Sequence, residues 1–375
     1  MKVLSLFANI GVAEAYLSEI GVDVVLANEL IERRAALYSR IYPETQMICG
    51  DITSPDTYTK VLEAAKELGV DIVMATPPCQ GISRAGKQYK DDVRNLLILP
   101  VIDIVRDLAP RYVFIENVPQ FIETYISVDN RDALITDFID SELSGKYYIS
   151  KNVIDTKYYS VPQTRQRAII LLTRKDVEKK WVLPAPDAFF VTLADAIGDL
   201  PSIDPFVKDV SEEELLKLFP NYYKKLETAK NVSPWHFPPE HIKRQVITMM
   251  HTPTGKTAFD NKKYVPIKAD GTPVTGYKST YRRLRWNDPA STVTMDNRKI
   301  SSQNNVHPGR YIGLDENGDV LYSDPRALSL FELMKIMSLP DSWPLPLDAN
   351  PAFVRSIIGE GIPPLFVRKV FEKIL

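Results

Sequence analysis

The chain begins "MKVLSLFANIGVAEAYL", Met1 to Leu17, and two readings compete for this stretch. Lys2 ahead of apolar residues has the outline of an export signal. Asn9, Gly11 and Glu14 break that run, whereas a short strand, a turn containing Gly11 and a helical segment account for all of it. The pattern then repeats. β-rich runs at 2–7, 23–28, 45–49, 71–75, 112–116, 148–154 and 167–173 alternate with "GVAEAYLSEIG", "LIERRAALYSRIY", "YTKVLEAAKELG" and "NLLILPVIDIVRDLAP", whose apolar residues fall near helical spacing. This order predicts an α/β fold in which helices cover a mostly parallel sheet and ligands sit at the carboxyl ends of the strands.

After Trp181 the texture changes. "VLPAPDAFF", "SPWHFPPEH" and "HTPTGK" are rich in proline, and strand and helix signals weaken. The expected division is a first domain of residues 1–180 with 350–375, and a smaller irregular domain over 181–349. The closing "FVRSIIGEGIPPLFVRKVFEKIL" reads as a turn and an amphipathic helix whose apolar face needs the sheet.

Composition narrows the partners. Hydrophobic residues make up 45% of the 375 and charged residues 25%, as in a soluble globular protein. A formal net charge of −2 rules out a global basic field, so any nucleic-acid surface must be local. Two cysteines suit a reducing compartment, and the four histidines show no metal-ligand spacing with them. No stretch approaches the roughly 18 to 20 apolar residues that cross a bilayer. A cytoplasmic protein without a membrane or metal is expected.

Two sets of residues carry chemistry. On one side, Gly11 lies in the first turn, Glu29 ends the second strand, and Asp51 follows the third in "CGDI". A small-residue turn admits a ligand to the backbone, and a carboxylate at the second strand's end can accept hydrogen bonds from a ribose diol. The phosphate-binding glycines of a dinucleotide site are missing, with Asn9 where one would stand. A nucleoside without a pyrophosphate fits, and S-adenosylmethionine is such a molecule. Solvated strand ends would look the same. On the other side, Cys79 follows Pro77 and Pro78, which hold the backbone stiffly, and polar Gln80, Gly81 and Ser83 come next. An accessible nucleophile and an inert buried thiol both remain open. Glu116 ends the fifth strand after an apolar run, where a carboxyl can have a raised pKa and act as an acid. "VPQTRQRAII" places Gln163, Arg165 and Arg167 at alternating positions, predicting one shared face aimed at a carbonyl or phosphate.

Taken in order, "PPCQ", "ENV" and "QTRQR" resemble the DNA (cytosine-5) methyltransferases of prokaryotic or phage restriction–modification type, an S-adenosylmethionine-dependent Rossmann-like fold. "LFANIG", "DVRNLL", "RALSLFELMKIMSLPDSW" and "IGEGIPP" extend the resemblance over the chain except for about 182–277. It implies that Cys79, presented by Pro78, adds to cytosine C6, that Glu116 bonds the N3 and amino edge, that Arg167 with Arg165 holds O2, and that Asn117 positions the Pro78–Cys79 loop. On the cofactor it implies Phe7 against the adenine, Asn9, Ile10 and Gly11 along the methionine part, Glu29 on the ribose, Asp51 with Ile52 at the adenine, and Pro77 and Leu96 closing over. The target cytosine would have to flip out of the duplex, with "GISRAGKQYKDD" (Gly81 to Asp92) as a closing loop. Ser5, Asn9 and Glu360 depart from the family pattern, which carries Asp, Gly and Asn there.

Between Asn261 and Arg285 there are seven basic residues and one acid, interleaved with Tyr264, Tyr277 and Tyr281. The resemblance makes this region the target-recognition domain, with Lys278, Arg282, Arg283 and Arg285, and Ser83 from the first domain, as expected contacts to double-stranded DNA. A monomer is expected, with a separate restriction endonuclease acting on the same site. The alternatives are an RNA cytosine-5 methyltransferase of the same fold and a catalytically silent DNA-binding regulator. An amino-methyltransferase is disfavoured because Cys79 takes the place of an aromatic after Pro-Pro.

Overall fold

Alternation along the strands decides where each side chain points, and the strands here obey it closely. The structure, a computed structural model, describes residues 1–78, 93–128, 131–261, 263–276, 279–295, 297, 300 and 304–375. Its main sheet is built from β1 (Lys2–Leu6), β2 (Asp23–Glu29), β3 (Gln46–Cys49), β4 (Ile72–Ala75) and β5 (Tyr112–Asn117). After a small hairpin of β6 (Tyr125–Val128) and β7 (Arg131–Leu134), β8 (Tyr147–Asp155) and β9 (Gln166–Arg174) complete it. The seven strands lie in the order β3-β2-β1-β4-β5-β9-β8. The first five run parallel, and β9 is antiparallel to both of its neighbours.

Leu4, Val73, Val113, Ile115 and Ile170 face one side, where α2 (Pro55–Leu68), α3 (Ile98–Leu108) and α4 (Ile135–Leu143) cover them. Val3, Ile72, Met74, Phe114 and Leu171 face the other. There α11 (Pro364–Phe371) delivers Phe366, Val367, Val370 and Phe371, and Trp181 packs edge-on against Tyr112 and Phe371. The closing helix therefore rests on the sheet. Trp181 is anchored further by its indole N–H, which donates to the Val370 carbonyl at 2.8 Å.

The helix expected after the first turn does not form as an α-helix. Residues 9–21 run as successive tight turns with one 3-10 segment, Ser18–Ile20. Two competing demands explain this. Ile10 and Val12 enter one core while Ala13 and Leu17 enter another, and the Tyr42 hydroxyl takes the Gly11 carbonyl that a helix would have used. Glu14 is buried inside the turns and accepts a 2.7 Å hydrogen bond from Ser5 Oγ. Burial raises its carboxyl from 4.5 to about 7, although the bond from Ser5 acts in the opposite direction.

Residues beyond Trp181 carry short elements: α5 (Leu193–Ile197), α6 (Glu212–Leu218), α7 (Tyr222–Val232), α8 (Lys243–Met250), α9 (Leu330–Ile336) and α10 (Pro351–Ile357), with two-stranded ribbons between. Buried charge joins apolar contact in knitting this region. Arg326, fully buried, bonds both Glu332 oxygens at 2.8 Å and Asp324 at 3.0 Å. α9 packs with Ile10, Val12, Leu37 and Ile41, so a shared core joins this region to the first turn and to α1 (Glu32–Ile41). No described helix is long and apolar enough to cross a membrane.

Two stability measurements follow. Trp181→Ala should cost roughly 3–5 kcal/mol in urea unfolding, the range for a large buried aromatic, and a loss below about 1 kcal/mol would contradict the packing described. For Glu14, the native state keeps a proton that the unfolded chain releases, so stability present below about pH 4.5 is lost as pH rises through about 7. At about 1.4 kcal/mol per pKa unit, wild type should lose roughly 3 kcal/mol relative to Glu14→Gln between pH 4.5 and 8. An equal gap between the two proteins at both pH values would refute this.

Candidate active site

The strand order reverses between β1 and β4, so their carboxyl ends open the crevice in which such sheets bind ligands. Leu6 pairs with Ala75 in register. The first turn and the Pro77–Pro78 segment therefore emerge side by side, joined by Thr76 Oγ1 donating to the Phe7 carbonyl at 3.3 Å. β5 runs two residues beyond its pairing with β4, which carries Glu116 and Asn117 past Ala75. Asn117 is buried, and its Nδ2 donates to the Pro77 carbonyl at 3.0 Å while its Oδ1 accepts from Val118 N. This amide fixes the entry to Pro78, which is exposed. Cys79 and Ser83 lie outside the described residues.

Glu116 sits opposite Ile169 in the antiparallel β5–β9 pair, so Arg167 is its diagonal neighbour on the same face. The guanidinium Nε lies 2.6 Å from Glu116 Oε1, and the side chains are only 12% and 7% exposed. Glu116 is thus half of a nearly buried ion pair, not the lone carboxyl in an apolar wall that its sequence context suggested.

The other members of "QTRQR" do not share that face. Strand β9 begins only at Gln166, and the preceding residues are zipped to the second region by Thr164 N to Ala290 O and Ala290 N to Pro162 O. Gln163 accepts from Val293 N at 3.0 Å. Arg165 is 1% exposed and donates to the carbonyls of Val293 at 2.9 Å and Gly359 at 2.8 Å. Arg165 thus ties separate segments together through their backbone carbonyls, where the sequence predicted a guanidinium aimed at a ligand. A guanidinium aimed at backbone carbonyls and one aimed at a ligand look alike in sequence.

On the cofactor side, Phe7, Asn9 and Gly11 all have positive φ (60°, 51° and 75°), a backbone that curls tightly around the end of β1. Gly11 is required there twice over, because a Cβ would also lie 2.1 Å from the Tyr42 ring. Glu29 accepts backbone N–H bonds from Asn9 and Ile31, both 2.9 Å. A carboxylate takes about four such bonds, which leaves capacity for a diol. Asp51 is exposed and engaged through Oδ1 by Thr53, while Ile52 is buried and Leu96 half-buried against the same core. Ile10 spends its side chain on the interior, so only its backbone can meet a ligand. Asn9 Oδ1 is buried and has no partner among the described residues. An orphaned acceptor between a carboxylate and a glycine turn fits a nucleoside that carries donor groups. No cluster of three metal-ligating side chains occurs among the described residues.

The basic stretch divides. Arg282 and Arg285 are exposed, but Arg283 is fully buried and donates to the carbonyls of Met249, His307 and Asp324. The expectation that Arg283 contacts DNA is corrected: it is an internal tie. Tyr264 is likewise occupied, stacked 3.6 Å over His251. Lys278 lies outside the described residues. A cavity of about 490 Å3 in the second region is lined by Lys225, Trp286 and Arg310, among others, and none of the site residues borders it.

Comparisons with known proteins bear directly on this geometry. The C-5 cytosine-specific DNA methylase family matches residues 1–375. The Type II methyltransferase M1.HgaI of Avibacterium volantium is 41% identical over 99% of this chain and 97% of its own, and M.XorII of Xanthomonas oryzae pv. oryzae is 25% identical over 99% and 84%. Among solved structures, an E. coli prophage protein described as a DNA modification methyltransferase superposes with a TM-score of 0.67 at 20% identity, covering 100% of this chain and 98% of that one. A Spodoptera frugiperda DNMT2 mutant gives 0.60 at 16%, covering 100% and 99%. These last two likenesses speak for the fold. With a family match from end to end, a relative 41% identical over nearly its whole length and a sheet of the expected order, this chain belongs to the C-5 cytosine-specific DNA methylases, S-adenosylmethionine-dependent enzymes that methylate cytosine in DNA.

Proposed function

We propose that the chain modifies one cytosine within a defined double-stranded sequence, through a covalent Cys79–C6 adduct formed on a base flipped out of the helix. The observation that carries this reading is the Glu116–Arg167 ion pair, set beside the Pro77–Pro78 segment that Asn117 pins. Those three elements belong to adjacent strands and converge at the sheet's carboxyl edge.

Cytosine C5 is a poor nucleophile until C6 is attacked. The Cys79 thiolate adds at C6, the C5–C6 π electrons move toward C5, and N3 takes up or shares a proton. Glu116 holds the N3 and amino edge and manages that proton, and Arg167 orients Glu116 while reaching O2. Pro78 presents the thiolate and Asn117 fixes the segment that leads to it. S-adenosylmethionine, when bound, supplies the methyl group as an electrophilic sulfonium. Once C5 is methylated, loss of its proton and expulsion of the Cys79 thiolate restore the ring. For the cofactor, Phe7 would lie against the adenine, Asp51 and Ile52 would meet its edge, and Glu29 the ribose diol. The backbone at Ile10 and Gly11, with Asn9, would follow the methionine part, with Pro77 and Leu96 as walls.

Residues 181–349 would read the DNA, with Arg282, Arg285 and Lys278 on phosphates and Ser83 approaching from the catalytic side. Arg165 and Arg283 act inside the protein. Both named relatives are Type II methyltransferases, which supports a pairing with a separate endonuclease of the same specificity, each acting without a stable complex. The enzyme would act as a monomer.

With tritiated S-adenosylmethionine and duplex DNA, wild type should yield labelled 5-methylcytosine, and Cys79→Ala should lose at least about a thousandfold of that activity. A duplex carrying 5-fluorocytosine should trap the protein through Cys79, because no proton can leave C5. Full activity in Cys79→Ala, or label on RNA alone, would overturn the reading.

A further inference from the structure

Two positions where the sequence departs from the family pattern, Asn9 and Glu360, are more than three hundred residues apart and meet in the structure. Asn9 Nδ2 lies 3.3 Å from Glu360 Oε2. Arg34 of α1 closes on the same carboxylate with both arms of its fork, Nη1 to Oε2 at 2.8 Å and Nη2 to Oε1 at 2.9 Å. The ion pair is 16% and 19% exposed, well shielded from solvent.

The backbone around Glu360 leaves its side chain little choice of direction. A Cβ at Gly361 would stand 2.8 Å from Val12 Cβ, and one at Gly359 would stand 2.5 Å from the Thr294 carbonyl oxygen. These two glycines let the segment press against the first turn on one side and the recognition region on the other. Arg165 then clasps the carbonyls of Gly359 and Glu360. Asn9 is held from both ends, since its backbone N–H binds Glu29 while its side chain binds Glu360. Moving Glu360 would therefore move the turn and the Glu29 carboxylate together.

We propose that Arg34, Glu360 and Asn9 form a latch that clamps the first turn to the segment ahead of α11, so that Glu360 is a positioning residue for the cofactor site and not a ligand of the cofactor. This rests on the reading that the turn after β1 holds S-adenosylmethionine. A bidentate guanidinium and an amide already fill three of the roughly four acceptor sites of the Glu360 carboxylate, which favours clamping over ligand contact.

The test titrates S-adenosylhomocysteine, which binds without turnover, into full-length wild type, Glu360→Gln, Arg34→Met, their double variant and the charge-swapped Arg34→Glu/Glu360→Arg protein, with urea midpoints checking that each is folded. Each single variant should bind about tenfold more weakly. The double should be no weaker than either single, and the swap should recover most of the loss. KM for S-adenosylmethionine should rise in parallel, with kcat at saturating cofactor and KM for DNA unchanged. Wild-type-like binding in both single variants would overturn the latch while leaving the cofactor-site reading intact. Losses that multiply in the double variant and are not recovered by the swap would overturn it too, by showing that the two side chains act separately.

Discussion

Everything at this site depends on a short distance, the 2.6 Å between Arg167 Nε and Glu116 Oε1. That contact exists because β9 runs antiparallel against β5, an exception in a sheet whose other core strands are parallel. A parallel ninth strand would present its carboxyl end, not its beginning, at this edge. The reversal delivers an arginine from the start of one strand to a carboxylate at the finish of its neighbour, in surroundings dry enough for the pair to hold a fixed geometry. On the function proposed above, a heterocycle with an amide-like edge would meet a donor and acceptor set already oriented, with no need to gather flexible side chains.

Around this pair the fold does two further things. The β1–β4 reversal in strand order places the first turn next to the Pro77–Pro78 segment at one crevice, where the proposed function needs methyl donor and nucleophile to meet. Buried arginines then tie the second region to it. Arg165 links the Val293 carbonyl to that of Gly359, and Arg283 and Arg326 satisfy carbonyls and carboxylates within the second region. Such ties are costly to break once formed, because a lone buried guanidinium has nothing to compensate its lost hydration. Arg165 in this way fixes the segments at Val293 and Gly359 against the start of β9.

Much of the sheet was legible because period-two alternation and strand-end acids are local signals: the ends of β2, β4 and β5 placed Glu29, Pro77 and Glu116 correctly at the carboxyl edge. What stayed hidden was what no local signal encodes. Arg165 and Arg283 are chemically identical to ligand-binding arginines, and only burial separates them from Arg282 or Arg285. The 10–21 segment has helical spacing but is pulled between two cores and a tyrosine hydroxyl. Glu360 looked like a defect in a motif until Arg34 and Asn9 appeared beside it. The region after Trp181 reads as irregular because buried charge replaces some of the apolar periodicity on which sequence patterns rely.

On this geometry Glu116 and Arg167 should act as one unit in methyl transfer. Single-turnover methyl transfer with saturating cofactor and duplex, measured for Glu116→Gln, Arg167→Met and the double variant, tests it most directly. A unit predicts that each single change slows transfer by about a hundredfold or more and that the double is scarcely slower than the worse single. Losses that multiply in the double variant would refute such a unit, since they would mean that the two side chains contribute independently.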